Sequence, residues 1–373
     1  MKIHYAWVVA FTGALVVLLC HGFGRMSYSV ILPSMKDGLS LSYAQIGLIG
    51  TGNFIGYLGL ALLGGFLASR FGSRRIIFVS LLIMGVTLFL TGLSPSFGFA
   101  FVMRFITGLG NGGSYIPTMA LPAAWFVARK RGLATGIATF GTGIGLSLSG
   151  LIIPFIIAGY GSNGWRFAWY AMGIVVFACA FLVYALQRDD PSQKGLTMYG
   201  VDDTEATLPH KPDEVNPKSG IEEVTVGKGT DKVHLISAWR EIVRERETWK
   251  LGAVYFNYGF AYIIYLTFFV AYLTQELGFS PKSAGLAFSA LGFFTIWSGV
   301  IWGAISDMLG RKSGFVLSYL TIGISAFLLV FAEKAFGVYL SAIIFGLTIS
   351  AVPVIMAASA GDSFGGRMAS AAL

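Results

Sequence analysis

Long apolar segments recur along the chain between short polar loops, and this pattern constrains the fold more than any other feature. A membrane-spanning helix needs about 20 mainly apolar residues. Runs of that length occupy ten ranges, at approximately 5–32, 43–69, 75–93, 97–126, 133–158, 166–187, 249–275, 283–306, 313–332 and 336–360. Only 12% of the residues are charged, whereas soluble domains carry about 25%. The sequence therefore predicts an all-α polytopic membrane protein.

Lysine and arginine residues are distributed unequally between alternate loops, which predicts an orientation by the positive-inside rule. With the N-terminus inside, the short cytoplasmic segments hold Lys2, Arg70, Arg74, Arg75, Arg129, Lys130, Arg131, Arg311, Lys312 and Arg367. The external segments hold only Lys36, Arg166, Lys282 and Lys334. We therefore expect a cytoplasmic N-terminus. The net charge of +8 reflects this topology and does not indicate nucleic-acid binding.

Residues 188–248 differ from both flanking regions because they are polar, rich in Pro and Gly and of mixed charge. This composition is typical of a flexible linker. We interpret it as a largely disordered cytoplasmic connection between an N-terminal six-helix half, 1–187, and a C-terminal half, 249–373. Within the linker, residues 235–250 predict a short amphipathic helix at the membrane surface.

The chain contains an internal repeat that appears when it is shifted against itself by 238 residues (285 − 47). Identical residues then coincide at Gly47-Leu48 with Gly285-Leu286, Gly65 with Gly303, Gly72 with Gly310, and Gly108-Leu109 with Gly346-Leu347. Two homologous halves in parallel orientation indicate a carrier whose site lies between them. Glycines recur at a spacing of four residues at Gly52/Gly56, Gly132/Gly136 and Gly141/Gly145. This spacing predicts close helix packing, either alone or together with a role as sliding surfaces between helices during alternating access.

Three short motifs resemble those of the major facilitator superfamily. The stretches "GGFLASRFGSRR" (64–75) and "GAISDMLGRK" (303–312) resemble the two copies of its loop signature. The stretch "RFITGLGNG" (104–112) is similar to its helix 4 pattern. The resemblance implies two six-helix halves that alternate access to a central site. Residues 110–145 are similar to bacterial relatives of monocarboxylate carriers and oxalate/formate exchangers, which implies a bacterial inner membrane.

The chain departs from the family pattern in two respects. Ser69 occupies the acidic position of the first loop signature, whereas Asp307 keeps it in the second half. The family has twelve helices, and this sequence ends where helix 11 would begin, so we expect helices 11 and 12 to be missing. The resemblance implies gating roles for the loop residues Ser69, Arg70, Arg74, Arg75, Asp307 and Arg311, for which topology alone is the alternative explanation.

Two arginines, Arg25 and Arg104, lie inside predicted spans, where ionisable residues are costly and mark functional sites. The Asp and Glu residues all lie in loops or at helix ends. The arginines therefore lack an internal carboxylate partner and need backbone carbonyls, water or an anionic ligand. Arginine suits two-pronged binding of a carboxylate, so we expect the pair to hold an anion.

Further polar and aromatic residues are candidates for lining the cavity. His21 precedes Arg25 by one helical turn and could carry a coupling proton, although a packed His is the alternative. Candidate substrate-binding residues are Tyr28, Asn53, Tyr57, Asn111 and Tyr115 in the first half, and Asn257, Tyr258, Tyr262, Tyr265 and Trp297 in the second.

The sequence thus predicts a secondary transporter of a small organic anion of the monocarboxylate kind, working by proton symport. Two alternatives remain open at this point, an efflux carrier for apolar compounds and a non-transporting sensor on a carrier scaffold. An inactive fragment is a third. No enzyme constellation, cofactor or metal-ligand spacing is present, and we expect a monomer in the lipid bilayer with a small anionic molecule as its partner.

Overall fold

Long helices account for nearly all of the part of the chain that the computed structural model describes, residues 4–201, 246–332, 334–356 and 359. We number them α1 (Tyr5–Gly38), α2 (Tyr43–Phe71), α3 (Ser73–Gly92), α4 (Phe97–Trp125), α5 (Ala128–Tyr160), α6 (Gly164–Leu186), α7 (Arg246–Gln275), α8 (Pro281–Leu309), α9 (Arg311–Val330) and α10 (Ala335–Thr348). Short 3-10 turns lie at Gly161–Asn163 and Pro191–Lys194.

Each of the ten apolar runs forms one of these helices, which confirms the predicted fold class. By length and composition, eight segments of the described part of the chain could cross a membrane. One of them, Lys130–Leu186, covers α5 and α6 together, and α4 is not among them. The helices run alternately up and down. We call the end of the bundle that holds the start of α1 the proximal end, and the end that holds the α1–α2 loop the distal end.

The first helix is longer than the sequence indicates. The first apolar run ends at residue 32, but α1 continues through Pro33 to Gly38. The centre of α1, Leu18–Met26, is a π-helix, and the Ser27 N–H donates to the Gly22 carbonyl, five residues back, at 2.9 Å. Such π segments widen a helix and often occur at functional sites.

The predicted repeat is present in the helix boundaries. The bounds of α2 (43 and 71) and α8 (281 and 309) differ by 238 at both ends, as do those of α3 and α9. The turns between them match as well, because Gly72 has φ 86° and ψ 138°, and Gly310 has φ 84° and ψ 155°. A side chain would be strained at this φ, so each half uses a glycine at its loop signature.

Glycines allow two pairs of helices to approach closely within the N-terminal half. A Cβ on Gly56 of α2 would lie 2.1 Å from the Phe105 carbonyl oxygen of α4. A Cβ on Gly145 of α5 would lie 2.5 Å from the Gly22 Cα in α1. By contrast, a Cβ on Gly132 or Gly136 would have no neighbour within 4 Å. The four-residue spacing therefore marks packing surfaces only in part.

The two halves meet mainly toward the distal end. A Cβ on Gly150 of α5 would lie 2.4 Å from the Gly285 carbonyl of α8, and a Cβ on Gly285 would lie equally close to the Gly150 carbonyl. Nearby, the Ser147 and Ser289 hydroxyls each donate to the other's carbonyl, at 3.2 and 2.6 Å. The Tyr43 hydroxyl donates to the Gln275 side chain at 2.7 Å.

The first part of the linker, 188–201, packs against the proximal end, which corrects the expectation that this stretch is disordered. The Trp125 indole N–H donates to the Arg188 carbonyl at 3.0 Å. Tyr199 forms a short parallel bridge with Phe126, and its ring packs against those of His4 and Trp7. Most of the predicted surface helix at 235–250 lies outside the described residues.

Gly56→Ala is expected to destabilise the protein, because the new methyl group overlaps the α4 backbone. Overpacking of this kind costs about 1–3 kcal/mol. Gly65→Ala in the same helix is the matched control, since its methyl would have no neighbour within 4 Å. The thermal unfolding midpoint in detergent should fall only for Gly56→Ala. Equal midpoints for the two variants would contradict the described α2–α4 contact.

Candidate functional site

Arg25 lies in the π segment of α1 and reaches the opposite half of the molecule. Its Nη2 donates to the Tyr262 hydroxyl of α7 at 2.8 Å. The guanidinium carbon lies 4.6 Å from the Phe54 ring centroid and 5.4 Å from that of Tyr57, both on α2. Such cation–π contacts offset part of the desolvation cost of the charge. The Tyr262 hydroxyl is its one hydrogen-bond partner among the described residues.

Stacked ring pairs from both halves surround this arginine. The His21 ring lies parallel to that of Tyr115, with centroids 4.1 Å apart and an interplanar angle of 9°. In the C-terminal half, Tyr258 stacks on Tyr262 at 4.7 Å and 19°. Tyr57 and Tyr115 lie close enough to Tyr255 and Tyr262 for charges on these side chains to interact. We call His21, Arg25, Phe54, Tyr57, Tyr115, Tyr255, Tyr258 and Tyr262 together the Arg25 cluster.

Arg104 has a different environment, although the sequence paired it with Arg25. Only 1% of Arg104 is exposed, and its Nη1 donates to the Gly24 carbonyl of the π segment at 2.8 Å. Its guanidinium lies 4.9 Å from the Trp169 ring and 5.3 Å from the Tyr28 ring. The structure thus gives Arg104 a backbone carbonyl and two aromatic faces as partners, and places it in the packing between helices.

Several other sequence candidates also lie in packing contacts. Asn53 donates to the Arg104 carbonyl at 3.0 Å, and Tyr28 to the Ile46 carbonyl at 2.8 Å. Tyr265 shares a 2.6 Å hydrogen bond with Ser341 and stacks on Phe345. Asn257 and Trp297 are exposed, and Asn257 donates to its own helix at Ala253.

Several buried polar atoms near the π segment lack a hydrogen-bond partner among the described residues. They include Nε2 of His21, Nε of Arg104 and both amide atoms of Asn111. A Cβ on Gly24 would lie 3.7 Å from the Asn111 amide nitrogen, so Asn111 borders the same segment of α1. Unpaired buried polar groups are rare in native structures and commonly mark sites of bound water or ligand.

Sequence reasoning missed Phe54, Tyr255 and the Gly24 carbonyl. The spacing could have identified Tyr255, because it lies three residues before Tyr258 on the same face of a helix. Phe54 and Tyr57 share a face for the same reason. No sequence signal indicated that α1 contains a π segment or that its carbonyl would bind Arg104.

The two loop signatures differ in how they hold their charges. In the C-terminal half, Arg311 at the start of α9 donates to the Asp307 carboxylate of α8, four residues earlier, at 2.5 Å. The corresponding positions of the N-terminal half, 238 residues earlier, are Ser69 and Ser73. Ser69 donates to the Phe66 carbonyl at 2.8 Å. The N-terminal half therefore lacks both members of the ion pair.

Asp189 supplies a carboxylate at this N-terminal loop from a different part of the chain. It accepts a hydrogen bond from the Arg74 backbone N–H, in the first turn of α3, at 2.6 Å. A carboxylate is favourable at this position because a helix N-terminus carries partial positive charge. The Arg74 side chain donates to the Tyr184 carbonyl at 2.7 Å and covers the Tyr184 ring. Arg70 and Arg75 are exposed.

The neighbouring Asp190 caps the Pro191–Lys194 turn, outside the helices of the bundle. Its carboxylate accepts a hydrogen bond from the Ser192 N–H at 2.8 Å. Hydrogen bonds from the side chain and the backbone of Ser192 lower the pKa of Asp190. Since Asp189 and Asp190 anchor consecutive contacts, the chain leaves α6 in a defined direction along the proximal end.

Taken together, the bundle has the features of a membrane carrier. Two structural repeats meet along glycine-lined helices, and a cationic, aromatic cluster lies where they join. A sequence model of the Major Facilitator Superfamily matches residues 14–373. The chain therefore belongs to this superfamily, whose members are membrane transporters and not enzymes.

Curated relatives are similar over most of the chain. The probable sulfoacetate transporter SauU of Cupriavidus necator is 26% identical, with 84% of this chain and 68% of the relative aligned. The cis,cis-muconate transport protein of Acinetobacter baylyi is 25% identical, over 92% and 76%. The hexuronate transporter of Bacillus subtilis is 25% identical, over 78% and 62%. The chain thus spans about two thirds to three quarters of the length of these relatives.

Solved structures of the superfamily share the fold. A bacterial homologue of the human lysosomal transporter Spinster, in an inward-facing unoccupied conformation, aligns with a TM-score of 0.74 at 16% identity, covering 100% of this chain and 78% of that one. A D-xylose–proton symporter aligns with a TM-score of 0.65 at 17% identity, covering 99% and 86%. At these identities the likeness shows the fold alone.

Arg104→Gln is expected to lower stability, because the change removes a charge-assisted hydrogen bond and two cation–π contacts from a buried position. A hydrogen bond to a charged group contributes about 1.5–3 kcal/mol. The measurement is the thermal unfolding midpoint in detergent, with the exposed Arg70→Gln as the control. A midpoint for Arg104→Gln equal to that of the control would refute the structural role assigned to Arg104.

Proposed function

We propose that the protein is a secondary transporter of a small organic anion of the monocarboxylate kind. The observation that carries this proposal is the position of Arg25 between the halves, with a single tyrosine hydroxyl as its hydrogen-bond partner among the described residues. A guanidinium has five N–H donors, so most remain available for a ligand. An anionic oxygen is the ligand that satisfies them best.

The surroundings of Arg25 support this assignment. The ion pairs seen among the described residues, Lys36 with Asp37 and Arg311 with Asp307, both involve residues near helix ends. No carboxylate contacts Arg25 there, so the cluster carries an uncompensated positive charge. The relatives named above are transporters of sulfoacetate, cis,cis-muconate and hexuronate, which are all organic anions. Cationic cargo would be repelled by such a site.

We propose that the two halves alternate access by rocking against each other. We assign residues 1–187 and 249–373 to the two moving halves and 188–248 to the linker between them. Hydrogen bonds across the interface join Ser147 to Ser289 and Tyr43 to Gln275 in the distal part. The close glycine contact of α5 with α8 is suited to rocking, because it presents backbone rather than interlocked side chains.

The proximal end is assigned to the cytoplasm, in a bacterial inner membrane, on the distribution of Lys and Arg. The loop residues Arg70, Arg74, Arg75, Asp307 and Arg311 then lie at the cytoplasmic gate, and Ser69 stands beside them. Ser69 has no carboxylate at the acidic position of the loop signature. We assign that position's gating role to Asp189, because its carboxylate binds the N-terminus of α3. Ion-pair and helix-end contacts here would break and re-form as the halves move.

We assign proton coupling to His21. This residue lies one turn from Arg25 on α1, and its Nε2 has no hydrogen-bond partner in the described chain. Tyr57 of α2 and Tyr115 of α4 face it. An anion bound at Arg25 would favour the protonated imidazole, so one proton and one anion would move together.

The first test of the proposal is Arg25→Gln. Uptake of the transported anion into proteoliposomes should fall about 100-fold or more, because at least two charge-assisted hydrogen bonds are lost at about 1.5–3 kcal/mol each. The reconstitution yield should remain that of the unchanged protein. Arg166→Gln, at an arginine bonded to the Gly92 and Ser94 carbonyls far from the cluster, serves as the control. Uptake by Arg25→Gln at the level of the control would refute the proposal.

The second test is His21→Gln, which removes the titrating group and keeps a polar side chain of similar length. The unchanged protein should accelerate anion uptake when the external medium is acidified, and the variant should lose this acceleration. Counterflow exchange of the anion at equal pH on both sides should persist in the variant, which separates coupling from binding. A variant with the same pH dependence as the unchanged protein would remove His21 from the coupling mechanism.

A further inference from the structure

The hydrogen bond between Arg25 and Tyr262 joins the two halves near the middle of the bundle. Arg25 lies close to the midpoint of α1, and Tyr262 lies close to the midpoint of α7. The bond of Tyr43 with Gln275, by contrast, lies at the distal ends of α2 and α7. When two halves rock about a central site, their ends separate most and their middles least. The Arg25–Tyr262 bond is therefore placed where it can be kept while the halves reorient.

Each partner of this bond is held in place by its own half. Arg25 is carried on the π segment of α1, whose Gly24 carbonyl accepts a hydrogen bond from α4. The Tyr262 ring stacks on the Tyr258 ring at 4.7 Å and 19°. The Tyr258 hydroxyl in turn donates to the Ile349 carbonyl at the end of α10. The bond thus connects two supported groups, and neither has to be ordered before it forms.

The charge of Arg25 needs a partner most when the carrier is empty. Alternating access passes through a state in which both ends are closed and the central site is shielded from bulk water. A guanidinium that loses its water without gaining a partner raises the free energy of that state. The Tyr262 hydroxyl oxygen supplies an acceptor to Arg25 at 2.8 Å. A bound anion supplies stronger acceptors of its own, so the loaded carrier does not need the hydroxyl.

We infer that Tyr262 is a positioning residue for the return of the empty carrier, in which its hydroxyl stands in for the anion at Arg25. This inference rests on the proposed anion transport and adds the residue on which net transport depends. A carrier that cannot reorient when empty must be loaded in both directions, so it only exchanges one anion for another. Net transport therefore requires the Tyr262 hydroxyl, whereas exchange does not.

The test is Tyr262→Phe, which removes the hydroxyl and keeps the ring that stacks on Tyr258. Proteoliposomes are loaded with labelled L-lactate, a small monocarboxylate, at equal pH on both sides. Dilution into lactate-free buffer measures net efflux, which needs the return of the empty carrier, and dilution into excess unlabelled lactate measures exchange. Loss of one charge-assisted hydrogen bond should slow the return step about tenfold or more and net efflux by about fivefold or more. Exchange should keep the rate of the unchanged protein.

Tyr265→Phe is the matched control, because it removes a hydroxyl from the same helix without touching Arg25. The Tyr265 hydroxyl shares a 2.6 Å hydrogen bond with Ser341 inside the C-terminal half. A loss of stability lowers both rates together, so the ratio of net efflux to exchange in this variant should equal that of the unchanged protein.

The ratio of net efflux to exchange also decides against the inference. A ratio that stays the same or rises in Tyr262→Phe, or an unchanged protein that exchanges lactate without net efflux, would overturn the role given to Tyr262. The proposed function would stand in those cases if Arg25→Gln abolishes both fluxes. If Arg25→Gln retains both fluxes, or the unchanged protein moves lactate no faster than protein-free liposomes, the proposed function itself is wrong.

Discussion

A guanidinium inside an apolar helix bundle requires compensation, and the organisation of the N-terminal half depends on how two arginines obtain it. Arg104 donates a hydrogen bond to a backbone carbonyl in the π segment of α1 and contacts two aromatic faces. Arg25, the residue after the one that offers this carbonyl, donates a hydrogen bond to a tyrosine hydroxyl of the opposite half. The first arginine fixes the local geometry of α1, and the second is held next to it with donors still available.

This division of roles connects packing to function. The contact between Arg104 and Gly24 holds the π segment against α4, and Gly22 meets Gly145 of α5 at backbone distance. Arg25 is thereby carried on a segment held on two sides. A preorganised cation costs less to use in binding than one that must first be ordered. Because its protein partner belongs to the other half, a ligand at Arg25 would act on the interface that moves.

The sequence predicted the number and approximate bounds of the helices because the apolar runs have bilayer length and the loops contain clear breaks. It also predicted the repeat, whose offset of 238 recurs in the bounds of α2 and α8. It could not separate Arg25 from Arg104, since both are arginines without a nearby acid in sequence. Only the three-dimensional packing shows that Gly24 offers its carbonyl to one of them. The contact of Asp189 with the N-terminus of α3 could not be predicted either, because the two are 115 residues apart in sequence.

The central claim is that Arg25 binds the acidic group of the transported anion. A structure with bound para-iodobenzoate tests it most directly, since iodine marks one end of the ligand. The account predicts a carboxylate within about 3 Å of the Arg25 guanidinium nitrogens. A carboxylate found instead at the exposed Arg70 and Arg75, with no density at Arg25, would contradict it.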